Sequence, residues 1–183
     1  MKTYHLASLA LGAALWAATT GTPAFAGDGD TVKLTVDVAE DFSQFVYTPV
    51  TPGDVPRRGS TFITEGNIFP AGTIAGDGAS FDPNGPGALG RWYCRGIHLV
   101  GLPEILAGAP LWVHTAQLFA LPDNKRSLAS DGVEGNSLTV RPVTGGTGSF
   151  KGYVGQQRQQ LLGFNASGGV NLRVTFVLSR AAP

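Results

Sequence analysis

One cysteine, Cys94, stands in 183 residues. No internal disulfide can form, so the packed core alone must hold the fold, and a lone thiol of this kind behaves as a small buried hydrophobe. There are only three histidines, one of them (His5) in the leading segment, which argues against a metal site. Lys and Arg together number 13 and so do Asp and Glu, so no basic excess exists to grip nucleic acid. No zinc spacing, phosphate loop, G-x-S-x-G elbow or serine–histidine–acid arrangement is found. Charged residues make up just 14% of the chain, too few for long exposed helices.

What the chain does have is glycine, 26 of them, and short β-type runs between turn residues. The first 26 residues are read separately. Lys2 and His5 precede an apolar run over residues 6–18, and Thr22-Pro23-Ala24-Phe25-Ala26 has the small-x-small pattern of a signal-peptidase site. The run is short for a bilayer-spanning helix of roughly 20 apolar residues. The expectation is a signal peptide cut after Ala26, a secreted or periplasmic protein with no stable membrane anchor, and one mature domain over residues 27–183.

Within that domain, residues 31–38 alternate Val32, Leu34, Val36 and Val38 against Thr31, Lys33, Thr35 and Asp37, the period of a half-buried strand. Further strands are expected over residues 42–50, 60–69, 90–100, 111–121, 137–143, 150–162 and 171–178. Residues 131–135, with Asp131-Gly132 and Glu134-Gly135, read as turn. About eight strands with regular turn signals imply an all-β sandwich or barrel. A closed eight-stranded barrel is just wide enough to be filled by side chains or to hold one small ligand.

The segment Thr144-Gly145-Gly146-Thr147-Gly148-Ser149-Phe150-Lys151-Gly152 resembles the glycine-rich signature of dirigent proteins. The blocks Phe62-Ile63-Thr64-Glu65-Gly66-Asn67-Ile68-Phe69-Pro70, Gly90-Arg91-Trp92-Tyr93-Cys94-Arg95-Gly96 and residues 163–176 are similar to the bacterial dirigent-like branch. The resemblance implies an eight-stranded antiparallel β-barrel of the allene oxide cyclase/dirigent-like, calycin-type class, a homotrimer, and a lumen for a small hydrophobic or phenolic ligand. It also implies cofactor-free steering of a cyclisation, isomerisation or coupling. The alternative from another class is a non-catalytic ligand carrier or structural barrel plugged by its own side chains.

Candidate site residues follow from strand parity. Asp37 is the nearest match to the acid in the first strand of the family, although Val36 replaces the histidine that precedes it there. Glu65 and Tyr93 are the other candidate catalytic groups. Asn67, Trp92, Cys94, Arg95, His114, Gln117 and Arg173 are the candidate ligand-binding groups. On strand 90–100, parity sets Trp92, Cys94, Gly96 and His98 on one face and Arg91, Tyr93, Arg95 and Ile97 on the other, without saying which looks inward. Asn165-Ala166-Ser167 fits a glycosylation acceptor.

Overall fold

The computed structural model describes residues 31–53, 55–122 and 125–181; the expected signal peptide and its cleavage site lie outside them. Among the described residues nine strands form: β1 (Thr31–Glu40), β2 (Val46–Thr48), β3 (Thr61–Pro70), β4 (Gly90–His98), β5 (Leu111–Ala120), β6 (Ser127–Gly135), β7 (Thr139–Gly146), β8 (Tyr153–Phe164) and β9 (Val170–Arg180). Every neighbouring pair is antiparallel, from β3 through β9 in chain order. β1 then pairs with β9 on one side and β3 on the other, closing an eight-stranded barrel. A five-residue helix, α1 (Leu102–Leu106), bridges β4 and β5.

The strand count expected from sequence is met by a different set of strands. Residues 42–50 do not form a barrel strand: a 3-10 turn at Phe42–Gln44 breaks them, and only β2 remains, paired with β3 outside the closed ring. The missing barrel strand is β6, within which residues 131–135 read as turn. Its glycines are strand glycines. A Cβ at Gly132 would stand 2.8 Å from the Cβ of Arg141, and one at Gly135 would stand 1.7 Å from the carbonyl oxygen of Pro110. Glycine inside a strand here marks close approach of a neighbour, not a turn.

The glycine signature does turn the chain. β7 runs out at Gly146, a 3-10 turn follows over Gly148–Phe150, and Gly148 and Gly152 take φ of 60° and 79°, which glycine adopts without strain. Phe150 caps the barrel from this turn and is 2% exposed.

Candidate functional site

Parity resolves once the barrel is closed. The inward face of β1 carries Leu34, Val36, Val38 and Glu40; that of β9 carries Leu172, Val174, Phe176 and Leu178. Trp92 and Cys94 of β4 join the same buried cluster, so the Trp/Cys face looks in and the Arg/Tyr face looks out. The interior has two ends. At one, Leu34, Ile68, Phe119, Leu121, Leu128, Phe150 and Phe176 surround a void of only about 10 Å³. That is room for at most one water. Phe119 and Phe176 meet edge to face with centroids 4.9 Å apart.

The other end is polar. Arg141 (β7) donates from Nη1 to Glu134 Oε1 at 2.7 Å and to Thr115 Oγ1 at 2.6 Å, and from Nε to Ser130 Oγ at 3.2 Å. Three glutamines complete the cluster. Gln117 Nε2 donates to Glu134 Oε1 at 2.9 Å, Gln159 Nε2 to Glu134 Oε2 at 2.6 Å, and Gln157 Nε2 to Gln117 Oε1 at 2.7 Å. Arg141, Gln117 and Gln157 are at most 2% exposed, while the Glu134 side chain, 16% exposed, reaches solvent. Burial of such groups is tolerated only when they are paired and bonded, and these are.

Glu40 is the second inward carboxylate. Thr64 Oγ1 donates to its Oε1 at 2.6 Å and the backbone N–H of Val170 to its Oε2 at 2.8 Å. Burial dominates nevertheless and raises its pKa above the usual carboxylate value, and the negative charge of Glu134 acts in the same sense. Burial likewise pushes the Cys94 thiol well up, which leaves it without thiolate character. Among the described residues, two buried ring nitrogens have no hydrogen-bond partner: Nε1 of Trp92 and Nδ1 of His98. His98 sits beside Phe62 and Tyr47, and burial lowers its pKa.

Of the residues singled out by sequence, Trp92, Cys94 and Gln117 face the interior. Asp37 faces outward yet is fully buried beneath the 71–79 loop. Arg173 Nε donates to its Oδ1 at 2.8 Å, and the backbone N–H groups of Gly72 and Ile74 donate to its Oδ2 at 2.8 and 3.0 Å. The Asp37 carboxylate in turn holds the Arg173 pKa above its usual value. Glu65 is paired with Arg91 on the outer wall at 2.8 Å, and Asn67 donates to the carbonyl of Pro83 at 2.8 Å. Tyr93, Arg95 and His114 also look outward. They line two open grooves of about 450 and 770 Å³, where His114 Nε2 lies 3.0 Å from Asp131 Oδ1. Asn165 is 5% exposed and donates to the carbonyl of Glu40, so it is a hairpin clasp that no glycosyl group can reach as folded.

Sequence reasoning did not find Glu40, Glu134, Arg141, Gln157 and Gln159. Glu40 continues the inward parity Leu34–Val36–Val38, a signal available in the sequence. Gln156–Gln160 is polar on both faces, so its alternation carried none.

No family model and no curated protein matches the sequence. Solved structures do match. A pterocarpan synthase dirigent protein aligns at a TM-score of 0.63 and 12% identity, over 86% of this chain and 99% of its own. Pyocyanin demethylase aligns at 0.55 and 14%, over 81% and 100%. A nonspecific heme-binding cyclase that catalyses a cycloaddition during neoabyssomicin biosynthesis aligns at 0.51 and 15%, over 85% and 69%. The fold of this chain is the dirigent/allene oxide cyclase-like barrel.

Proposed function

We propose that this dirigent-type barrel binds a small hydrophobic or phenolic molecule at the polar end of its interior and steers the molecule's cyclisation, isomerisation or coupling. The observation that supports this reading is the segregation of the interior. A barrel needed only as a scaffold is filled most cheaply by apolar side chains. This one instead gathers an arginine, two carboxylates and three glutamines at one end, and that end meets solvent at Glu134. In such a site Glu40, whose proton is retained to higher pH by burial, is the group suited to protonate or polarise a bound reactive species. The neighbouring donors hold the guest in one conformation, and orientation selects the product.

The test is calorimetric binding of phenolic and epoxide-bearing lipid compounds to the purified protein, with chiral analysis of products formed in its presence. Saturable binding with a skewed stereochemical outcome, lost in Glu40→Gln with binding retained, supports the proposal. Absence of both binding and stereochemical bias rejects it.

A second reading, a carrier or a structural barrel, is favoured by the packed apolar end, with its void of about 10 Å³. Binding without stereochemical bias selects the carrier. We infer further that the protein is exported after cleavage at Ala26 and that the outer apolar wall, with Ile63, Tyr93 and Leu118 each at least 40% exposed, is covered in a homotrimer. Mass spectrometry of the exported protein and light scattering test these two points.

A further inference from the structure

Trp92 is 2% exposed and its indole nitrogen, which can only donate, has no acceptor. An unmade hydrogen bond at that depth calls for an explanation, because desolvating the donor is costly. The strand register shows what lies around it. Trp92 pairs with Gly66 of β3, and Gly66 pairs with Glu40 of β1, so Trp92 and Glu40 flank a position with no side chain. A Cβ at Gly66 would stand 2.2 Å from the carbonyl oxygen of Ala39, so no other residue fits there. On its other side Trp92 pairs with Phe119 of the apolar end, and two residues along β4 comes Cys94, opposite Gln117 of the polar cluster. The indole therefore stands at the seam between the two ends.

We propose that Trp92 Nε1–H is the innermost anchor of the interior site and donates to a carbonyl oxygen on a flat aromatic ketone or quinone. This rests on the reading of the polar end as a guest site and names the chemistry of the guest. The ring of the guest extends from the seam toward the mouth, where Glu134, the carboxylate that reaches solvent, accepts from its hydroxyl group, and Glu40 faces it across Gly66. A guest without an oxygen at its inner tip leaves the indole unsatisfied and is discriminated against.

The test uses 6-hydroxy-1-tetralone and 6-hydroxytetralin, two-ring phenols that differ only by the carbonyl. The purified protein is expected to bind the ketone more tightly. Trp92→Phe should weaken the ketone roughly three- to tenfold, the value of one neutral hydrogen bond, and leave the analogue without the carbonyl unchanged. If Trp92→Phe affects both compounds alike, or neither, the anchor is overturned while the guest site stands. If neither compound binds the unaltered protein, the guest-site reading fails and the anchor with it. A measurement on the unaltered fold covers the case in which Trp92→Phe does not fold. The indole ¹⁵N–¹H resonance of Trp92, distinguished from those of Trp16 and Trp112 with Trp16→Phe and Trp112→Phe, should move on addition of the ketone and not of the analogue. A resonance that stays in place with the ketone bound overturns the proposal.

Discussion

Leu34, Phe119, Phe150 and Phe176 at one end of the barrel, and Arg141, Glu134, Gln117, Gln157 and Gln159 at the other, line the same cylinder on different terms. The apolar end gains by excluding water and needs only complementary shapes, so losing one member costs what that member's volume is worth. The polar end gains little net from each bond and loses heavily from each bond left unmade. Its members are interdependent: Glu134 accepts from four side chains at once, those of Thr115, Gln117, Arg141 and Gln159. The lesson is that one closed sheet can carry a core whose members act independently beside a network whose members do not.

The sharpest way to break this comparison is Arg141→Met, which leaves Glu134 unpaired and should cost about 3–5 kcal/mol in urea unfolding. Adding Glu134→Gln to that variant should restore much of the loss; no restoration would mean that packing, not charge, holds the polar end. Phe176→Ala at the apolar end should also cost about 3–5 kcal/mol, with no rescue from any second polar change. Gln157→Leu, which strands Ser130 and the carbonyl of Gln117, should cost about 1–3 kcal/mol.

Glu40 gives a pH-dependent member of the series. Its folded pKa is raised, so its protonated form favours folding at low pH, and that advantage is lost as pH rises above the ordinary value of 4.5. Urea midpoints of the unaltered protein should therefore fall relative to Glu40→Gln between pH 4 and 8, and parallel profiles would count against a desolvated carboxyl. The smallest effect is expected on the outer wall, where Glu65→Ala removes a partly exposed pair with Arg91 and should cost under about 1 kcal/mol.

The all-β barrel was legible because alternation in β1, β4 and β5 is strong and the signature from Thr144 to Gly152 sits at a true connection. β6 was not, because Gly132 and Gly135 look like turn residues in sequence, while in space they are gaps made for Arg141 and Pro110. The same blind spot hid the polar end, because only the gap at Gly132 makes room for the Arg141 side chain to pack inward. Asp37 illustrates the reverse. Its parity with Lys33 and Thr35 places it outside correctly, but only the loop over it, with the N–H groups of Gly72 and Ile74, explains its complete burial. Trp92 and Gln117 were singled out by residue type, and parity left open which face looks inward; closure of the ring and cross-strand register, which no single segment encodes, turn both toward the interior.

The 3-10 turn at Phe42–Gln44 lets the chain step off the ring before β2 resumes beside β3, and β2 has no neighbour on its far side among the described residues. Closure thus leaves a single short free edge, a template three residues long, with Pro49 and Pro52 directly after it. Proline cannot donate to an incoming strand and so blocks extension of that template. A chain with so many exposed valines and isoleucines is in this way given little opportunity to polymerise edge to edge.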